Sequence, residues 1–343
     1  MFPKGKIIPA LQISIVLYIN LNIFLFAGTF SIKGQFWASG KSIENQSDFI
    51  TEIDYIPTFS AYYEYQNSRM VDLEWAYRLD RSYTGSSLNI KNEKSHRYWV
   101  RYSSNQLEAR LGLQKIVFGP SQILRPLSWF DTMDLKDPTG QTDGVEAFRL
   151  RWFPSNYLSA WSWVIMNDQD TLSYGGRGEL STNHGEWGLT VHIDPSNNLN
   201  TYGQAFGPHK RLALDYRYDG FIGFWNESAM IISDGSELSL STIGADYTLP
   251  VADGIHIMTE TMYMLSVVND SSSSHFITAF MAGYSIGMIH NFMFISNFDW
   301  DENNTYNYLR WSSSYDHFSI NCMASINSGD IDNSLQLMLI YNH

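Results

Sequence analysis

Residues 144–153 read GVEAFRLRWF. Arg149 and Arg151 alternate with Phe148, Leu150 and Trp152. A β-strand repeats its side-chain direction every two residues, so the arginines share one face and the bulky apolar groups the other. Two settings satisfy that arrangement. One face can rest on a packed core with the other in water, or one can meet lipid while the other lines a wet interior. The rest of the chain has to choose between them.

The pattern recurs along the sequence. Glu52, Asp54, Thr58, Ser60 and Glu64 alternate with Ile53, Tyr55, Pro57, Phe59, Ala61, Tyr63 and Tyr65. Asp72, Glu74 and Arg78 oppose Val71, Leu73, Trp75, Tyr77 and Leu79. Glu108 and Arg110 oppose Leu107, Ala109 and Leu111, and Arg211, Asp215 and Arg217 oppose Leu212, Leu214, Tyr216 and Tyr218. The last segment, SLQLMLIYNH, sets Leu335, Leu337, Leu339 and Tyr341 on one face. No stretch after residue 27 shows a helical period or a linker composition.

Bulk composition narrows the class. Aromatic residues make up 15% of the 343-residue chain and charged residues only 17%, below the usual quarter. Net charge is −13, which excludes a nucleic-acid surface dominated by Lys and Arg. The single cysteine, Cys322, cannot form an intrachain disulfide and lies on an apolar face with Ile320 and Ala324. No zinc, phosphate-loop or dinucleotide motif appears, so no cofactor and no metal site are expected. The first 27 residues carry Lys4 and Lys6 ahead of an apolar run, the layout of a secretory signal peptide with cleavage near Ala27.

A soluble β-sandwich also alternates, but its inner face favours small and branched residues. Here aromatics crowd the strand ends: Tyr98, Tyr102, Trp152, Trp161, Trp163, Tyr216 and Tyr218. Such girdles belong at lipid headgroups. Short turn signals fall at 104–105, 154–156, 183–185, 219–220 and 253–254, and longer polar connections at 83–93, 119–143, 167–173, 195–208, 269–274, 300–305 and 327–333. The expected fold is therefore all-β: a transmembrane antiparallel β-barrel of about 16–18 strands, one domain over 28–343, in a bacterial outer membrane.

The polar face then becomes a lumen. Early strands supply Glu52, Asp54, Asp72 and Glu74, and later ones Arg97, Arg101, Arg110, Arg149, Arg151, Arg177, Arg211 and Arg217. Neighbouring strands lie about 4.8 Å apart, so the arginines form a basic wall facing an acidic one on another arc. The alternative is that they pair with Glu108, Glu179 and Asp215 and brace the lumen. The segment 119–143 has apolar anchors (Ile123, Leu124, Leu127, Trp129, Phe130) beside Arg125, Asp131, Asp134, Lys136 and Asp137. Those anchors need burial, which favours an inward fold that sets a constriction over a loop packed on the rim.

The run RLGLQKIVFGPSQILRPLSWFD, residues 110–131, resembles the strand-and-loop segment of alginate-export-type and related outer-membrane porins, matching at Gly112, Gln114, Phe118 and Gly119. Leu113 stands where that group commonly has Arg. The resemblance implies a monomeric barrel of about 18 strands with an arginine-lined conduit for anionic polysaccharide or small solutes, and carries Arg110, Arg149 and Arg151 into that role.

The function expected is passive diffusion of small polar or anionic solutes, with outer-membrane lipid and the barrel-assembly machinery as partners. A barrel enzyme of lipase or protease type needs a histidine beside a nucleophile. His96, His184, His192, His209 and His256 are available, but none sits in a nucleophile motif. A plugged structural or adhesion barrel is the third class. The acidic runs at 134–137 and 301–304 read as solvated loops, with Ca²⁺ at a rim as the metal alternative.

Overall fold

The structure, a computed structural model, describes residues 28–65, 68–167, 171–196, 198–199, 205–269, 271–329 and 331–343. The signal-like segment 1–27 lies outside the described residues. Strands follow in chain order as β1 (Thr29–Ile43), β2 (Ile50–Tyr65), β3 (Arg69–Thr84), β4 (Ser87–Ser103), β5 (Leu107–Gln114), β6 (Val145–Ser155), β7 (Leu158–Met166), β8 (Leu172–Thr182), β9 (Gly185–Asp194), β10 (Asn198–Leu199), β11 (Ala205–Phe206), β12 (His209–Tyr218), β13 (Gly223–Ser233), β14 (Ser236–Leu249), β15 (Ile255–Val268), β16 (Ser271–Ile286), β17 (His290–Asp299), β18 (Asn304–Ser314), β19 (Phe318–Asn327) and β20 (Ser334–Asn342). The two-residue strands β10 and β11 pair only with each other. The other 18 form one antiparallel sheet that closes where β1 meets both β2 and β20. Closure leaves no unpaired edge, which is the condition for a sheet to sit in hydrocarbon.

An even strand number brings both termini of the barrel to one end, here termed the near end. The connections 66–68, 104–106, 156–157, 183–184, 219–222, 250–254, 287–289 and 315–317 share it. The far end carries 44–49, 85–86, 115–144, 167–171, 195–208, 234–235, 269–270, 300–303 and 328–333. Every short turn signal in the sequence falls at the near end and every longer polar connection at the far end. Two of the latter, 83–93 and 269–274, are mostly strand, because β3 runs to Thr84, β4 starts at Ser87 and β16 starts at Ser271. At 16 to 17 residues, β2, β3, β4 and β16 exceed the roughly 9–11 that a tilted span needs, so their polar tips stand clear of the apolar band.

The two faces of β6 resolve the opening alternation. Phe148 and Trp152 point outward at 45% and 52% exposure, while Arg149 points inward and is buried. Leu189, Leu212, Leu335 and Leu337 continue the outward apolar band. Two of the aromatics assigned to the girdle instead face inward: Trp163 is buried and stacks on Phe118, and Trp161 lies beneath Arg149 and Arg151. β7 is apolar on both faces, with Val164 and Met166 outward and Trp163 and Ile165 inward, so alternation could not sort it. On β13 to β17 the inner face is itself apolar. Ile231, Leu240, Met258, Met281 and Ile295 are buried there, packed against Ile123, Leu124 and Leu135 of the connection 115–144.

Candidate functional site

Strand register gathers the arginines row by row. Arg101 of β4 lies directly across from Arg110 of β5, and Arg110 across from Arg149 of β6. The row continues through Trp163, Gly175 and His192 to Arg211 of β12. A second row runs Glu108, Arg151, Trp161, Arg177, Thr190. Like charges facing each other across a strand pair repel. One carboxylate offsets three of them: Glu108 lies 2.6 Å from Arg149, 3.4 Å from Arg101 and 3.7 Å from Arg110.

The remaining partners are unequal. Arg101 grips Asp72 through two hydrogen bonds of 2.8 and 2.7 Å. Arg177 grips Asp215 at 2.6 and 2.9 Å and also donates to Glu179 at 2.8 Å. Arg211 has Asp194 at 3.9 Å and lies over the Trp129 ring. Arg151 makes no ion pair among the described residues; its guanidinium sits 3.8 Å from the Trp161 ring centroid. Arg110 lies 4.4 Å from that of Trp99. Stacking on a ring fixes a guanidinium while leaving N–H groups at its edge for an oxygen ligand.

Other sequence-derived candidates fall elsewhere. A register shift at Ala76/Tyr77 leaves both His96 and Arg97 buried, and Arg97 donates to the carbonyls of His96 and Thr142. Arg217 is outside the wall: it lies near the turn 219–222, half exposed, and pairs with exposed Asp219. Asp54 is paired with Arg78 at 2.8 Å, Glu52 accepts from Ser39, and Glu74 lies across from Trp99. The acidic and basic sets do not confront each other across the barrel. β3 is hydrogen-bonded to β4, so they meet side by side and neutralise locally. The arc that faces β5 and β6 across an 18-stranded ring is the apolar one around β16 and β17.

The connection 115–144 is fastened to inward side chains far from its own strands. Glu227 of β13 accepts the Ser121 and Leu127 N–H groups at 3.0 and 2.6 Å. Glu260 of β15 accepts three successive ones, from Gln122, Ile123 and Leu124, at 2.7, 2.9 and 2.7 Å, and the Trp225 indole N–H at 3.0 Å. Further along, Tyr308 of β18 donates to the Lys136 carbonyl at 2.6 Å, and Gln141 donates to Gln35 of β1 at 2.7 Å. Lys94 of β4 closes the circuit on Asp143 at 2.9 Å. Burial disfavours the Asp143 charge, but Lys94 outweighs it and holds the carboxyl below its ordinary range. Within the segment, Arg125 and Asp131 form a buried two-point ion pair of 2.5 and 3.1 Å.

The sequence reading passed over Glu227 and Glu260. Their signal was a lone acid on an otherwise apolar face: Glu227 between Trp225 and Ala229, Glu260 between Met258 and Met262. A buried carboxylate requires donors. The Trp225 indole supplies one to Glu260, and backbone N–H groups from another segment supply the rest.

The four residues that carried the family likeness position the start of this segment. Gln114 donates to the Ala147 carbonyl at 2.9 Å, and Phe118 stacks on Trp163. Gly112 and Gly119 adopt φ of 120° and 90°. A Cβ on Gly119 would overlap the Glu227 carboxylate. Gly119→Ala is therefore expected to lower stability by about 1–3 kcal/mol, from left-handed strain plus displacement of a hydrogen-bonded carboxylate. Urea unfolding of the refolded barrel checks this.

Two cavities flank the segment. One of about 720 Å³ lies between Gln122–Lys136 and the Met262, Ile295 and Asn297 side chains. The other, about 450 Å³, is lined by Glu52, Asp54, Lys41 and Arg78 together with Asp134, Lys136 and Asp137. The histidines are engaged structurally: His96 with Gln141, His192 with the Trp163 indole, His209 with Arg211 and His256 with Asp246. His184 lies in a near-end turn, where its carbonyl accepts from Tyr216. Asp301 of the run 301–304 accepts from His275 at the far-end rim, tying β16 to the turn 300–303.

No protein-family model matches the sequence, and no curated protein sequence matches it. Solved structures do. Pseudomonas aeruginosa OccK2 (OpdF) superposes with a TM-score of 0.61 at 9% identity, over 92% of this chain and 97% of that one. P. aeruginosa OpdK, solved with vanillate, gives 0.59 at 10% identity over 92% and 98%. Vibrio cholerae OmpT, in a trimer form, gives 0.56 at 11% identity over 92% and 100%. At these identities the likeness is one of fold: a closed 18-stranded barrel resembling bacterial outer-membrane porins and channels.

Proposed function

We propose that the barrel spans a bacterial outer membrane and conducts small polar or anionic solutes passively, past a constriction formed by 115–144. The observation that carries this reading is the inward arginine row Arg101–Arg110–Arg149, in which three guanidiniums share Glu108, together with Arg151, which stacks on Trp161. Positive charge in excess of its local carboxylates, in a confined space, favours anions and repels cations. Carboxylates and sulfates match the guanidinium edge in a two-point geometry. Arg177 and Arg211 extend the wall, Asp72 and Glu108 tune it, Glu52, Asp54 and Glu74 line the adjoining arc, and Arg97 holds the end of the constricting segment through the Thr142 carbonyl. Arg125, Asp131, Asp134, Lys136 and Asp137 belong to the constricting segment. The solute bound in OpdK is vanillate, an aromatic acid, which makes aromatic carboxylates the first cargo to try. The likeness of 110–131 to alginate-export-type porins makes an anionic polysaccharide the second.

The test is Arg149→Gln with Arg151→Gln. Purified protein in planar bilayers is expected to keep its conductance steps but lose anion preference, with the reversal potential in a salt gradient moving toward zero. An unchanged reversal potential would remove the arginine wall from the selectivity mechanism.

A further inference from the structure

At the far end, the inner faces of β16 and β17 carry His275 and Asp299, and the turn 300–303 brings Asp301 back onto them. The fold dictates this meeting. Inward positions on β16 run from Met281 through Ala279 and Ile277 to His275, and on β17 from Ile295 through Asn297 to Asp299. Ile277 lies directly across from Asp299, so His275 stands just beyond the end of that ladder, where the turn passes. The Trp300 N–H donates to the Phe276 carbonyl at 3.1 Å, and the Phe276 N–H donates to the Asp301 carboxylate at 3.0 Å. Those two bonds fold the turn onto β16.

The imidazole is held unequally. Its Nδ1 lies 2.7 Å from Asp301 and its Nε2 3.2 Å from Asp299. A neutral imidazole has one N–H. The shorter contact assigns it to Nδ1, which leaves the Nε2 lone pair facing a carboxylate oxygen. Asp299 is fixed in that pose, because its other oxygen accepts the Asp301 and Glu302 N–H groups at 3.0 and 3.1 Å. Among the described residues, neither Asp299 nor Asp301 pairs with a Lys or Arg. A lone pair set against a carboxylate, with two negative charges and no basic side chain, calls for a cation between Nε2 and Asp299.

We infer that His275 and Asp299 bind a divalent transition-metal ion of the zinc class at the far-end mouth, with Asp301 as a positioning residue. Two ligand atoms about 2.1 Å from a tetrahedral ion stand about 3.4 Å apart, and Nε2 and Asp299 are 3.2 Å apart. The contact of Asp301 with Nδ1 is the carboxylate–imidazole hydrogen bond that orients a ligating histidine and fixes its tautomer. An imidazole nitrogen beside a carboxylate suits Zn²⁺, Co²⁺ or Ni²⁺, whereas Ca²⁺ and Mg²⁺ take oxygen ligands. Asn297, next along the same inward face, has a buried Oδ1 without a hydrogen-bond partner and offers a further oxygen there. Water completes the shell, since His275 is 30% exposed. A bound dication would tie β16 to the turn 300–303 and place positive charge near Asn297, which lines the larger cavity. Binding here does not depend on what passes through the barrel.

The test is calorimetric titration of the untagged, chelator-treated barrel in detergent with zinc chloride. The unaltered chain is expected to take up one Zn²⁺ and to bind Ca²⁺ at least tenfold more weakly. His275→Ala is expected to abolish zinc binding. Asp301→Asn is isosteric and still accepts the Phe276 N–H, and it is expected to weaken binding about 10–100-fold. His256→Ala, at the near end, is expected to leave it unchanged. Co²⁺ in place of Zn²⁺ is expected to give a visible absorption band that His275→Ala removes. No zinc binding by the unaltered chain overturns the metal site and leaves an imidazolium bridging the two carboxylates. Zinc binding that survives His275→Ala, or Ca²⁺ bound as tightly as Zn²⁺, also overturns it. Because the unaltered chain is titrated first, a folding defect in a variant does not obscure the answer.

Discussion

Replacing Glu260 with Ala is expected to open the pore without dissolving the barrel. The Glu260 carboxylate accepts the N–H groups of Gln122, Ile123 and Leu124 and the Trp225 indole. Alanine leaves all four donors without that acceptor in a site that is fully buried. A buried donor left unsatisfied costs about 1–3 kcal/mol when it finds no other partner. The barrel is held by backbone ladders on every strand, so the cost falls on the segment 115–144, which is attached mainly through Glu227 and Glu260 along 121–127. Single-channel conductance is expected to rise and to become noisy as the segment leaves its seat. Glu260→Gln keeps one acceptor oxygen and is expected to fall between wild type and Glu260→Ala. Identical conductance in all three proteins would mean that 115–144 does not limit flow.

Asp215→Asn is expected to move selectivity in the opposite direction from the Arg149/Arg151 change. Asp215 holds Arg177 through two hydrogen bonds, and Arg177 retains Glu179 and Thr190 when that carboxylate is neutralised. The wall gains one net positive charge in a confined space, so anion preference rises. Stability falls by about 3 kcal/mol, toward the lower end for breaking a buried pair, because Glu179 remains. Reversal potential and urea midpoint report the two effects separately. A selectivity that moves toward cations would contradict the charge bookkeeping of the wall.

The barrel itself was legible because its strongest signal is local. Period-two alternation, as in Phe148 to Trp152, needs no knowledge of distant residues, and the sorting of turns by length gave both ends of the molecule. What alternation cannot see is a strand apolar on both faces. Trp161 and Trp163 looked like girdle residues for that reason, and the apolar interior of β13–β17 went unread. The inward arginines were visible one strand at a time, but their mutual order was not. That Arg101, Arg110 and Arg149 form one row depends on the register of three strands, which alternation within one strand does not carry. The expectation of acidic and basic walls facing each other failed on topology: residues close in sequence on β3 and β4 are neighbours in the sheet. Glu227 and Glu260 were missed because most of their partners are backbone groups a hundred or more residues away.

The most direct test of the conducting barrel with a basic wall is the reversal potential of the unaltered protein in a planar bilayer under a tenfold potassium chloride gradient. Discrete conductance steps with a reversal potential of the sign set by chloride are expected. A silent bilayer, or a reversal potential set by potassium, would contradict it.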